Sequence, residues 1–408
     1  MAQDDQPRFN VLKTWAFDDW GLYGRGDELL SRALARSDRV GRVFHVQPPV
    51  DPAEFRTRFR DPRWAQDVDG QLRRLHGVDD GGVFLFTPQR TPDRPDAVLD
   101  ATVAMLEREK AFSEPLLLLQ GLAHPFAADL ARRLGGRGVT RVAIARRDAR
   151  AAYAADAPER AVYEQLYADQ VPGADLVWAG TRDLMEEFKP ANPKTVLHPI
   201  GADQDLAKGH PAPELADLPR PLVIYAGSMR AHLDVALIRG TADRLADHSF
   251  VFVGPHADYL LPLVGEVRNI HVIGPRPYSL LPGYLAAADV AIAPHQVIPA
   301  TKAVVPEKLY GYLAAGLPVV TTPVAGVDEL KRLVWSARDA SEFARAIQGA
   351  RKRDRERRRS LRVAAVAPLS WDAIAGHLIA SVDAVRRGAD PPQPPEPKMP
   401  TIPGFLAR

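Results

Sequence analysis

The stretch Val304–Gly326, VVPEKLYGYLAAGLPVVTTPVAG, sets a carboxylate and a cation side by side at what reads as a helix start. Glu307 in a first turn suits the positive end of the helix dipole, whereas Lys308 beside it is mildly unfavourable there. An anion bound at the same mouth would reverse that cost. From chemistry alone two readings of Lys308 stand: a side chain that snorkels to solvent, or a cation kept for a ligand. Pro306 fits the first helical position. Leu309, Tyr312 and Leu313 form a core-facing stripe, and Gly316 is the stop that lets the next strand follow closely. Gly311 leaves bare a position on the face of Glu307, one turn on.

Other candidate groups stand at the ends of apolar runs. His124, in LLLLQGLAHPFA, either hydrogen-bonds a ligand or is an ordinary loop histidine. Arg146, Arg147 and Asp148, in ARRDARAAY, either contact a ligand or lie in a solvated loop. Gly24 and Gly26 flank Arg25 at the mouth of the first helix. The third small residue of a dinucleotide fingerprint should fall at Leu29 and does not, so a tight turn is the plain reading. No GxxxxGK[ST] loop, GxSxG elbow or histidine pair at metal-ligand spacing occurs, and DVDG has no strand before it. What remains are strand ends, helix N-termini and scattered cations, which suit a diphosphate bound without metal.

These residues need a frame that brings strand ends together. Short apolar runs alternate with helical patterns, the signature of parallel sheets with crossover helices. The first half offers FNVLKTW, RVFHVQ, GVFLF, PLLLLQ, RVAIA, ADLVWA and KTVLHPI as strands, with helices between, such as 27–36, 96–110 and 160–170. The polar, proline-rich GADQDLAKGHPAPELADLPRP reads as a linker. The alternation then restarts with LVIYAG, SFVFVGP, NIHVIG, DVAIAP and PVVTT. The expected architecture is α/β: two tandem doubly wound domains, 1–200 and 221–370, joined by linker 201–220, with ligands in an inter-domain cleft. A closing helix follows at 371–387 and a Pro-rich, disordered tail at 388–408.

Bulk numbers narrow the function classes. A chain of 408 residues exceeds one ordinary core. Its 53 Lys and Arg nearly cancel its 51 Asp and Glu, so no global field points to nucleic acid. The absence of cysteine removes disulfides, thiolate metal sites and a cysteine nucleophile. No run is long enough to cross a bilayer, and a cytoplasmic protein, soluble or peripheral to a membrane, is expected. The basic run RKRDRERRRS reads either as a solvated helix face or as a contact with anionic lipid head groups.

The second half resembles the nucleotide-sugar-binding domain of GT-B glycosyltransferases, in the large retaining group that includes bacterial envelope-polysaccharide enzymes. VIYAGSMRAHLDVALI, FVFVGP, NIHVIGPRPYSLLPGYLAAADVAIAPH and TKAVVPEKLYGYLAAGLPVVTTPVAGVDEL occur in that group's order and spacing. The first half resembles its acceptor domain through W…GRGDELLSRAL, RVFHVQPP, ADLVWAGTRDLMEEF and VLHPIGAD, and SWDAIAGHL resembles its closing helix. The resemblance implies transfer of a sugar from a nucleoside-diphosphate donor to a hydroxyl acceptor, such as a glycan or lipid-linked glycan. It also implies retention, no metal and no cofactor beyond the donor itself. By the same resemblance Gly227, Ser228 and Arg230 meet the donor diphosphate, and Lys302 and Lys308 lie near phosphates and sugar. Gly274, Arg276 and Tyr278 border the base. Val304, Pro306 and Glu307 stand beside sugar and ribose. Arg230, Lys302, Lys308 and His124 would assist departure of the diphosphate, and Gly24, Arg25, Arg146 and Asp148 would face the acceptor. The group's usual ribose-binding carboxylate falls at Gly311 and another at Ala303, and both are missing here. A shifted contact is therefore expected, with Glu307 reaching the ribose and Gly311 leaving room for the nucleotide. Three alternatives remain: a nucleotide-sugar epimerase, a non-catalytic nucleotide-sugar-binding protein, and a glycosyltransferase acting on modified nucleic acid.

Overall fold

The structure is a computed structural model describing residues 7–14, 20–24, 26–60, 65, 67–91, 93–121, 127–145, 157–303 and 305–400. The chain forms two compact units. One holds 24–199 and 371–394 with the N-terminal strand, and the other holds 200–370.

The first unit contains β1 (Phe9–Thr14), β2 (Val40–Val46), β3 (Val78–Asp80), β4 (Val83–Phe86), β5 (Leu116–Gly121), β6 (Thr140–Ala145), β7 (Leu176–Ala179) and β8 (Thr195–Leu197). They form one sheet in the order β3-β4-β2-β1-β5-β6-β7-β8, parallel except where β3 meets β4. β1, β4 and β7 are buried along their whole length, as expected of strands covered on both faces by crossover helices. The helices are α1 (Gly26–Ala35), α2 (Pro52–Arg58), α3 (Val68–Arg74), α4 (Ala97–Arg108), α5 (Ala127–Leu134), α6 (Ala157–Gln170) and α7 (Arg182–Phe188). The short, acidic β3 is an edge strand that apolar periodicity alone does not reveal.

The second unit contains β9 (Leu222–Ala226), β10 (Ser249–Val253), β11 (Ile270–Gly274), β12 (Val290–Ala293), β13 (Val319–Thr321) and β14 (Val334–Ser336), all paired in parallel. Their order is β11-β10-β9-β12-β13-β14. The chain winds outward one way from β9 and the other way from β12, so the switch point lies between those two strands. The helices here are α8 (Val235–Arg244), α9 (Leu281–Ala287), α10 (Pro299–Ala303), α11 (Lys308–Ala314), α12 (Ala340–Lys352) and α13 (Glu356–Val366). The core is carried by Tyr225, Phe250, Phe252, Ile292 and Phe343, all essentially excluded from solvent. A last helix, α14 (Trp371–Arg386), belongs to the first unit, where Arg39 pairs with its Asp383 at 3.0 Å.

Two expectations are corrected. The stretch read as a linker is folded onto the second unit. Leu206 and Leu215 are buried, the Ala212 N–H donates to the Gly283 carbonyl at 3.0 Å, and Gly209 lies directly against the backbone of Pro282. Its prolines and charges hide two leucines spaced to anchor consecutive 3₁₀ turns. The tail read as disordered has no regular secondary structure to residue 400, yet several of its prolines are half-buried. The Lys398 N–H donates to the Ala365 carbonyl at 2.8 Å.

Candidate active site

At the switch point, β9 ends in Ala226 and runs into Gly227-Ser228, and β12 ends in Ala293 and runs into Pro294-His295. The two loops are stitched together. The Asp234 N–H donates to the Pro294 carbonyl at 2.9 Å, and the Gln296 N–H donates to the His232 carbonyl at 2.8 Å. The Asp234 carboxylate caps α8 by accepting from the Leu237 N–H, which fixes where the 228–234 loop turns into the helix.

Lys308 enters this place from the first residue of α11. Its Nζ lies 3.4 Å from His295 Nε2 and 5.2 Å above the Tyr225 ring. Glu307 takes the N-cap position, and Pro306 lies just before it, buried. Tyr312, one turn on, uses its hydroxyl to bond both the N–H and the carbonyl of Ala226, at 2.8 and 3.0 Å. That pair pins α11 to the end of β9, and so places the lysine against the Gly227 turn. Gly227 has φ +148°, and a Cβ there would stand 2.8 Å from Lys308 Cε. Behind it Gly254, φ +143°, touches the Gly227 carbonyl so closely that no side chain fits. Gly274 closes the row, its carbonyl accepting from the Gly254 N–H at 2.9 Å.

His232 and His295 meet edge to face at 4.9 Å, and the Tyr225 hydroxyl lies 3.3 Å from His232 Nε2 while donating to the Ser228 carbonyl at 2.7 Å. Burial, then the charges of Lys308 and Arg230, lowers His232 to about 4. Burial and Lys308 likewise push His295 well below its ordinary value. Both imidazoles are therefore neutral at pH 7, and the positive charge of the cluster rests on Lys308 and Arg230. Arg230, exposed, bonds the His256 imidazole. An anion seated on the Gly227 turn would meet those two cations and two neutral rings able to donate or accept.

The other proposed donor contacts are placed differently. Arg276 spends its guanidinium on Glu214 at 3.1 Å, on the Tyr284 hydroxyl and on two carbonyls. The Tyr278 hydroxyl donates to Asp203 at 2.8 Å. Both tie their loop to the 203–215 segment. Lys302 is exposed on α10. A Cβ at Gly311 would lie 3.1 Å from Cδ1 of Leu206, a tight contact. The bare position thus lets the buried Leu206 pack close to the helix. Gly24 has φ +57° and makes the turn into α1, as its plain reading has it. Arg25, His124, Arg146, Asp148 and Val304 lie outside the described residues.

His232 and His295 were missed in the sequence. Each follows a strand by a few residues, in AGSMRAH and AIAPH, a signal that could have singled them out. A second polar group also went unread, in the first unit. Lys13 on β1 pairs with Asp27 of α1 at 2.8 Å, both nearly buried, and His45 on β2 accepts or donates at 3.0 Å with Ser31. A lysine in the middle of an apolar run was its sequence signal.

Residues 220–352, the stretch that builds this site, match the family model of glycosyl transferases group 1. The family match lies wholly within the second unit. A stretch of 111 residues is 31% identical to the Bacillus subtilis (strain 168) protein TuaH, named as a teichuronic acid biosynthesis glycosyltransferase. That match spans 26% of this chain and 28% of TuaH. Solved structures align along almost the whole chain. Anabaena HepE in complex with UDP and glucose has a TM-score of 0.61 at 15% identity, covering 93% of this chain and 100% of HepE. An α,α-trehalose-phosphate synthase from Burkholderia xenovorans in complex with glucose-6-phosphate has 0.63 at 14%, covering 92% and 100%. A Listeria monocytogenes protein assigned as a UDP-N-acetylglucosamine 2-epimerase has 0.53 at 10%, covering 95% and 99%. These bear out the expected GT-B class, with the group 1 domain as its second Rossmann-like unit. No helix among the described residues is long and apolar enough to cross a membrane.

Proposed function

We propose that the chain is a glycosyltransferase that holds a nucleoside-diphosphate sugar at the carboxyl edge of β9 and β12 and passes the sugar to a hydroxyl acceptor. The observation that carries this is Lys308, laid against the side-chain-free turn at Gly227 inside a stretch matching the group 1 family. In such a reaction charge develops on the departing diphosphate. Fixed cations aimed at that point lower the barrier without having to reorganise. Lys308 is the fixed cation, and Arg230, more exposed, is the adjustable one. Neutral His232 and His295 can donate to phosphate or sugar oxygens without adding charge. The departing phosphate oxygen takes the acceptor proton, the product keeps the anomeric configuration, and no metal takes part. Uridine is the first base to try, because HepE was solved in complex with UDP.

A thermal-shift panel of UDP, GDP, ADP and dTDP with their glucose conjugates is the test, since a ligand of the folded state raises its melting temperature. One family of nucleotides should stabilise the chain, and its sugar form should then be turned over in EDTA. No shift with any nucleoside diphosphate sinks the reading. Turnover lost in EDTA and restored by Mn²⁺ removes the metal-free part. A free epimer released without acceptor would assign the site to an epimerase instead.

A further inference from the structure

Positions 331–362 carry twelve Lys and Arg against four Asp and Glu, a net +8 in a chain whose total is +2. Exposed arginines on a helix are ordinary, and the charge alone carries nothing. What sets this region apart is a small, open pocket lined by Arg332, Arg358, Arg362 and Trp335. Pro318 and Leu333, which precede β13 and β14, also line it. It therefore opens at the amino edge of the second sheet, at the opposite end of the strands from Gly227 and His295.

Arg362, on α13, is only 4% exposed and cannot wander. Its Nε and Nη2 donate to the Gly316 carbonyl at 2.9 and 2.6 Å, and Nη2 also donates to Asp354. That satisfies the end of α11 and accounts for Arg362 by itself. It does not account for Arg332 and Arg358 facing the same small volume. Burial holds the Arg362 guanidinium below its ordinary range against the opposing pull of Asp354, and Arg358 and Arg359 add smaller repulsions in the same direction as burial. Arg332 has no carboxylate partner among the described residues. Arg353 adds a further guanidinium over the Trp335 ring at 5.2 Å. Like charges gathered in a partly desolvated pocket raise one another's energy, and a bound anion inverts the sign. Guanidinium forks match phosphate oxygens in both geometry and charge.

We propose that this pocket is a second anion site, separate from the donor site, that takes a phosphoryl group through Arg332, Arg358 and Arg362. The group comes either from a soluble phosphate or from the headgroup of an anionic lipid, and the two sources separate by experiment. The full chain, Arg332→Gln, Arg332→Gln/Arg358→Gln and Lys308→Ala are compared. Inorganic phosphate is titrated by calorimetry. Vesicles of phosphatidylglycerol and phosphatidylcholine in equal parts, or of phosphatidylcholine alone, are pelleted at about 0.1 M salt, where screening sets in beyond about 10 Å.

The full chain should bind one probe, and Lys308→Ala should keep the part of that binding that the double variant loses. The double variant should lose at least about tenfold, the low end for removing charge-assisted hydrogen bonds. Arg332→Gln, at an exposed position, should lose less. Unchanged melting temperatures in both variants show that they fold. Pelleting with phosphatidylglycerol alone assigns the headgroup, and phosphate binding without pelleting assigns a soluble ester. The proposal is overturned if neither probe binds, if the double variant binds as well as the full chain, or if only Lys308→Ala loses binding. Capture of a single-stranded RNA with neither probe bound would also overturn it, in favour of nucleic acid.

Discussion

Each sheet places a lysine near its carboxyl edge, and the two lysines keep different company. Lys13 of the first unit is buried against the Asp27 carboxylate, beside a His45 that burial and then the Lys13 charge lower to about 3. Lys308 of the second unit stands against His295 and the face of Tyr225, and it too depresses the histidines near it. In the first unit the fold itself supplies a counter-charge, so the pair serves the structure. In the second, the rings beside the lysine carry no charge, and the field they feel is positive, which suits an anion that arrives. A buried cation at a strand end is therefore not by itself a site; the company it keeps decides.

The sharpest way to break this contrast is to remove each lysine in turn. Lys13→Met strands a buried carboxylate and should destabilise the chain by roughly 3–5 kcal/mol in urea unfolding. Lys13→Met/Asp27→Leu, which removes both charges, should recover much of that loss. If the single variant unfolds like the parent, Lys13 and Asp27 are not coupled in the way described.

A smaller effect, of a different kind, is expected from Lys308→Met. Stability should change little, while nucleoside-diphosphate affinity by calorimetry falls by about 1.5–3 kcal/mol, the range for a hydrogen bond to a charged group. A large stability loss with unaltered affinity would make Lys308 a second Lys13 and erase the difference between the two edges.

A further expected effect is on pH dependence. His45 and His232 have folded values of about 3 and about 4 against an ordinary 6.5. As pH falls below 6.5 the unfolded chain takes up protons that the folded chain refuses, so stability is lost. Each of the two should contribute up to about 1.4 kcal/mol per pH unit. The His232 share ends near pH 4 and the His45 share near pH 3. Urea midpoints at pH 7.5 and 5.5 should fall accordingly, and His232→Gln should flatten part of the slope. An identical slope in that variant would mean the histidine is not held neutral by its surroundings.

Much of the fold was legible because strand burial is written locally. VFLF, FVFV and VAIA are continuous apolar runs, as expected of strands covered on both faces. β3 and β14 were not legible: β3 is one valine followed by two aspartates, and β14 has two apolar residues in a stretch crowded with charges. The site was legible where backbone rules decided it. Gly227 follows a strand and permits a close approach, and Pro306 announces a helix. Arg276 looks like a ligand-binding arginine in the sequence, yet Glu214 and Tyr284 occupy it. A side chain's type does not say whether the fold has already used its hydrogen bonds.

Two wound α/β halves, the ends of most of their strands and the group 1 pattern of the second half could all be read from the order of residues. Those properties rest on neighbours near in the chain, through periodicity, caps and turns. The adjacency of β9 and β12 could not be read that way, because strand order depends on which faces pack and leaves no periodic trace. That adjacency, visible only once the chain is folded, brings His232, His295 and Lys308 to one turn at Gly227. Folding also laid Leu206 into the space beside Gly311, since a glycine records that room was needed but not what would take it.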